Sequence, residues 1–203
     1  MAVANAALQI ERVSYEDFLE QADEDLYAEW VDGEVIPMSP ASKQHQRLAG
    51  FLAALLTHFT EAHDLGEVYP APFQMKTGPD LPGREPDALF VSREHLDRLL
   101  PTHLKGPADL AVEIVSPDSR GRDRGDKYYE YEQGGVREYW LIDPIRRHAE
   151  FYRLGDDGLF QPMAVTGGVF HSSVLDGLWL RLEWLWEEPP PSLMTVLREW
   201  KLL

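Results

Sequence analysis

The clearest periodicity in the chain is helical. Leu48, Phe51, Leu52, Leu55 and Phe59 share one face of a helix that Ser42 is placed to cap, and Gly66 follows as a stop signal. Upstream, Ser14-Tyr-Glu-Asp17 has the spacing of a capping box and opens a short helix to about Glu24. Residues 27–31 and 34–38 flank Asp32-Gly33, a pair that readily takes positive φ and so predicts a hairpin. Extended segments follow around 68–76 and 88–91, divided by the Pro/Gly-rich loop 78–84. Residues 109–115 form a short apolar strand buried on both sides, with Glu113 in its interior. Residues 122–133 look helical and end at Gly134-Gly135; 136–143 is a second buried strand, rich in aromatic and β-branched residues and closed by Pro144. Strands with Gly turns run to about Leu182, and 189–192 introduces a short terminal helix.

That order of elements predicts an α/β (α+β) fold, a central mixed sheet flanked by helices with an additional N-terminal hairpin and C-terminal strands. No repeat or long linker interrupts it, so residues 1–203 are expected to form one domain. The apolar share of 44% and charged share of 27% exclude a disordered or fibrous chain. No apolar run approaches the ~20 residues of a membrane span, and the N-terminus lacks the basic start and long apolar stretch of a signal peptide. With no cysteine there is no thiolate metal site, and a reducing cytoplasm is the expected location, with no membrane partner.

Charge bears on the partner. A net charge of −16 opposes tight binding of a polyanion, but the acid is uneven. Residues 1–34 hold ten carboxylates against Arg12 alone, whereas 117–153 hold eight cations, Arg122, Arg124 and Lys127 among them, against eight carboxylates. Any DNA-facing surface is therefore expected beside Arg122 and Arg124.

Three residues carry candidate chemistry. Glu113, between Val112 and Ile114, needs compensation for its buried charge, either from an ion pair or from a hard cation that favours oxygen donors. Asp87 follows Pro86 at the head of an apolar segment, and on a neighbouring strand it would bring a second carboxylate to the first. Two such groups repel unless a divalent cation lies between them. Asp123, Lys127 and Tyr131 are four apart on one helix face. Lys127 either pairs with Asp123 on an exposed helix or sends its ammonium into the carboxylate site.

The ordered set Pro86-Asp87, Glu113-Ile-Val115, Ser116-Pro117, Lys127 and Gly135-Val-Arg-Glu-Tyr-Trp-Leu-Ile-Asp143-Pro resembles the PD-(D/E)XK nuclease superfamily. More closely, it is similar to the bacterial restriction-endonuclease family catalogued as domain of unknown function 820, over about residues 29–180. The resemblance implies a restriction-endonuclease-like core, Asp87 and Glu113 as ligands of Mg²⁺ or Mn²⁺, and metal-dependent hydrolysis of DNA. The superfamily's lysine stands two residues after the second acid, where this chain has Val115, and Lys127 would supply the ammonium instead. Glu29 and His45 also fall on family positions; His45 reads more readily as a packing or hydrogen-bonding residue, and Tyr131, a further active-site candidate, as one that packs under the helix. Cutting both strands of a duplex favours a homodimer. The competing reading is a catalytically silent nuclease fold that binds nucleic acid or protein.

Overall fold

The computed structural model of the chain describes residues 12–21, 27–117, 119 and 121–203. Ser14 caps α1 (Tyr15–Gln21), accepting from the Asp17 amide at 3.0 Å and donating its hydroxyl to the Asp17 carboxylate at 2.7 Å. The expected continuation to Glu24 lies outside the described residues. Strands β1 (Ala28–Val31) and β2 (Glu34–Pro37) form the hairpin, turned by Asp32 and Gly33 at φ 49° and 87°. Ser42 accepts from the His45 amide at the start of α2 (Lys43–His63), and its five apolar residues are buried. The helix stops two residues before the expected glycine. Asp64, in the left-handed region at φ 55°, makes the stop, a conformation Asp tolerates better than most residues. Gly66 (φ +148°) instead opens β3 (Gly66–Pro70), where an added Cβ would collide with the Val91 carbonyl.

Next come β4 (Gln74–Lys76), β5 (Gly83–Arg84), β6 (Ala88–Ser92), a 3₁₀ segment Arg93–Arg98, β7 (His103–Lys105) and β8 (Leu110–Ile114). A π turn, Arg122–Asp126, leads into α3 (Lys127–Gly134), and β9 (Glu138–Asp143) follows. The chain continues through β10 (His148–Leu154), β11 (Phe160–Pro162), β12 (Val169–His171) and β13 (Trp179–Arg181), and ends in α4 (Leu193–Glu199). No helix among the described residues is long and apolar enough to cross a membrane.

The expected mixed sheet is six-stranded, in the order β11-β10-β9-β8-β6-β3, with β8 and β9 parallel and the other pairs antiparallel. Parallel neighbours need a crossover, and α3 lies within it. Every residue of β8 and β9 is buried, as expected for strands covered on both faces. Alternation sorts them. Leu110, Val112, Ile114, Trp140 and Ile142 pack with the α2 face, and Ala111, Val115, Tyr139 and Leu141 pack with Tyr131 of α3. A second sheet, β2-β1-β5-β4-β7, carries the hairpin.

Asp109 anchors the entry to β8. Its carboxylate accepts from the Ser92 amide at 2.7 Å, from His95 Nδ1 at 3.0 Å and from Arg137 Nη1 at 3.1 Å. Burial pushes the Asp109 carboxyl up, but these hydrogen bonds outweigh it and hold the group below its usual range. A depressed pKa stabilises the fold above the unfolded value of about 3.9, and the gain is lost as pH falls through the lower folded value. Asp109→Asn is expected to lose about 1.5–3 kcal/mol at pH 7, a deficit that shrinks toward pH 3. Urea unfolding at both pH values measures it, and an equal deficit at both would refute the account.

Candidate active site

The ladder between β6 and β8 pairs Ala88 with Val112, so the next step along it sets Asp87 opposite Glu113. The expected adjacency of the two acid-bearing strands is therefore present. Beyond that pair the Ile114 amide donates to Asp87 Oδ2 at 2.7 Å, so the carboxylate continues the ladder in place of backbone. Asp87 Oδ1 lies 3.3 Å from His45 Nε2, which the first turn of α2 delivers. Burial pulls the His45 imidazole down, but the hydrogen bond and charge of Asp87 raise it above its ordinary value.

Glu113 Oε1 accepts from Lys127 Nζ at 2.9 Å and from the Tyr131 hydroxyl at 2.7 Å. Lys127 and Tyr131 reach it together because they are one turn apart on α3. The ammonium is also 2.9 Å from Glu29 Oε1 and 3.6 Å from Asp123 Oδ1. Lys127 is thus a buried cation, 1% exposed, not an exposed helix lysine. On the second sheet, β1 and β5 pair Trp30 with Gly83, which sets Glu29 opposite Arg84. Arg84 Nη1 meets Glu29 Oε2 at 2.9 Å, and its Nε and Nη2 grip both oxygens of Glu130 at 2.7 Å. One network therefore runs from Glu130 through Arg84, Glu29 and Lys127 to Glu113.

These groups border a cleft of about 230 Å³ lined by Glu85, Asp87, Glu113, Asp123, Lys127 and His45, with Arg122 at its side. When all are ionised, six carboxylates (Glu29, Glu85, Asp87, Glu113, Asp123 and Glu130) stand against Arg84, Arg122 and Lys127, with the His45 imidazole on Asp87, and acids remain in surplus. Burial drives Glu113 well above the usual carboxylate range; the Lys127 charge opposes that shift, while Asp123 and Asp87 add to it. Burial also pushes Glu85 up to about 7. Desolvation lowers Lys127, but Glu113, Glu29 and Asp123 more than reverse this and keep it charged. A hard divalent cation fits this surplus and this all-oxygen donor set. Among the described residues no three or more His, Cys, Asp or Glu side chains are grouped to hold a metal ion. Mg²⁺ is commonly held by one or two carboxylates and completed by water.

The Uma2 family model, described as "Putative restriction endonuclease", matches residues 15–183. The chain belongs to this family. A search of curated proteins finds no match. Among solved structures, the chain is similar to a crystal structure from Anabaena variabilis titled as a putative nuclease belonging to DUF820. The two share a TM-score of 0.70 at 16% identity, over 86% of this chain and 97% of that one. The likeness bears out the mixed-sheet fold, and the family match bears out the resemblance to a restriction-endonuclease family.

In this Uma2 chain the structure brings together Asp87, Glu113, Lys127, Glu29, His45 and Tyr131. Val115, just past β8, is buried in the cluster that holds Tyr131 of α3. Arg122 borders the cleft, whereas Arg124 is paired with Glu150 at 2.6 Å. Sequence reasoning missed Arg84, Glu85 and Glu130 and used Asp123 only as a surface partner of Lys127. The available signal was the run Arg84-Glu85-Pro86-Asp87, three charges around a proline directly before an apolar strand.

Removing one partner of a buried ion pair leaves uncompensated charge and costs about 3–5 kcal/mol. Lys127→Met is therefore expected to lower stability at pH 7 by about that amount, and Arg84→Met comparably. Urea unfolding measures both. A loss below about 1 kcal/mol in either variant would mean that the network does not hold the fold.

Proposed function

We propose that this chain is a divalent-metal-dependent nuclease that hydrolyses DNA phosphodiester bonds, with Asp87 and Glu113 as the ligands of Mg²⁺ or Mn²⁺. The observation that carries this reading is the pairing of those two acids across adjacent strands at one cleft, beside a buried lysine. A cation held there would lower the pKa of a water and offset charge developing on the phosphate. The chain's own residues hold the rest in place. Tyr131 and Lys127 both donate to Glu113 Oε1, which leaves Oε2 for a ligand. His45 and the Ile114 amide orient Asp87. Lys127 Nζ donates to Glu113 Oε1 and lies 2.9 Å from Glu29 Oε1, and its remaining donor capacity would serve a water or a phosphate oxygen.

Arg122 is the proposed first phosphate contact at the cleft, with Arg124 behind it on Glu150. A two-fold dimer would supply the two sites needed to cut a duplex. The second reading, a silent nuclease fold binding protein, draws on the net charge of −16, which opposes association with DNA.

Incubating supercoiled plasmid with the purified protein in Mn²⁺, Mg²⁺ or chelator separates the two readings. Metal-dependent nicking is expected, slowed on the order of 100-fold or more in Asp87→Ala. Wild-type protein that neither binds Mn²⁺ in calorimetry nor nicks DNA would leave the silent module as the function. For binding, Arg122→Glu is expected to weaken DNA association and reduce the slope of log K against log salt by about one. An unchanged slope would remove Arg122 from the interface.

A further inference from the structure

Asp123 is the acid of the cleft that the ion network touches only at its edge, 3.6 Å from Lys127 Nζ. Its side chain is 1% exposed and lines the cleft with Asp87 and Glu113. Among the described residues neither of its carboxylate oxygens has a hydrogen-bond partner. Burial pushes the Asp123 carboxyl up, opposed by the Lys127 charge and the nearby Ser119 side chain, and Lys127 Nζ lies 3.6 Å away, beyond hydrogen-bond length. A buried carboxylate in that condition is costly and calls for a ligand or a water. The other cleft acids differ. Asp87 is held by Ile114 and His45 and Glu113 by Lys127 and Tyr131, while Glu85 keeps Oε1 on Gln74 at 2.7 Å and only its Oε2 lacks a partner among the described residues. The backbone is also specialised at Asp123. The Lys127 amide donates to the Arg122 carbonyl five residues back, closing the π turn that carries Asp123, a form frequent at functional sites.

We propose that Asp123 is a further catalytic residue, which accepts the hydrogen bond of the attacking water and takes its proton. This rests on the nuclease reading above. As the water oxygen bonds to phosphorus, one of its O–H bonds breaks and the proton passes to Asp123. The bond from phosphorus to the departing nucleotide oxygen breaks, and that oxygen takes a proton from solvent. Asp123 then returns its proton to solvent, so no further reactant is consumed. Lys127, on the same side of the cleft, keeps its proton throughout and offsets charge.

The test compares wild type with Asp123→Asn, an isostere that cannot take the proton, in Mn²⁺ with plasmid DNA. The expected result is a kcat lowered by about 10²–10⁴-fold with KM and the Mn²⁺ Kd within about twofold of wild type. Thermal unfolding is expected at an unchanged Tm or one higher by about 2–4 °C, since an unpartnered buried charge has been removed. A kcat within about threefold of wild type overturns the proposal. So does a kcat loss accompanied by weaker Mn²⁺ binding or a lower Tm, which would make Asp123 a metal ligand or a structural partner of Lys127. Inactive wild-type protein instead brings down the nuclease reading on which the proposal rests.

Discussion

One ammonium stands where the two large sheets meet, and most of the site is arranged around it. Lys127, the first residue of α3, lies 2.9 Å from Glu29 on the hairpin sheet and 2.9 Å from Glu113 on the six-stranded sheet. Arg84 extends the tie by joining Glu29 to Glu130, which returns to α3. Each of these ions loses several kcal/mol of hydration on burial, and only close pairing with filled hydrogen-bond positions offsets that loss. The spacing of the two sheets at this point is therefore set by the reach of two long cationic side chains.

The same arrangement gives the cleft its polarity. Burial, with neighbouring acids adding to it, makes Glu113 and Glu85 hold protons more tightly than isolated carboxylates do. Asp87 differs in its partners: an amide of β8 and the imidazole at the start of α2 both face it. The cleft thus sets a carboxylate held by an amide and an imidazole within a few residues of Glu85 and Glu113.

Much of this is legible in the amino-acid sequence, for identifiable reasons. Helix α2 and strands β8 and β9 show because burial imposes a period or an unbroken apolar run. Glu113 shows because a carboxylate inside such a run conflicts with its neighbours. Strands β5 and β7 do not show, since two or three residues in a Pro/Gly-rich stretch carry no period. Arg84 and Glu130 look like solvated charges until strand pairing and helix packing bring them together from 46 positions apart. Asp64 replaces the expected Gly66 as the helix stop because either residue can take the left-handed conformation, and the glycine is needed one strand later for its lack of a side chain.

The double duty of Lys127 affects how such a chain can change over generations. Its partners belong to two sheets, so losing it damages the fold along with any chemistry, and selection for folding alone is enough to retain it. Asp87, tied only to an imidazole and one amide, carries no comparable structural burden. On the nuclease reading proposed above, a descendant that had lost activity would shed the aspartate first and keep the lysine with its glutamates. Lys127 and Glu113 in a relative would then be evidence of shared architecture, and Asp87 the better marker of retained catalysis.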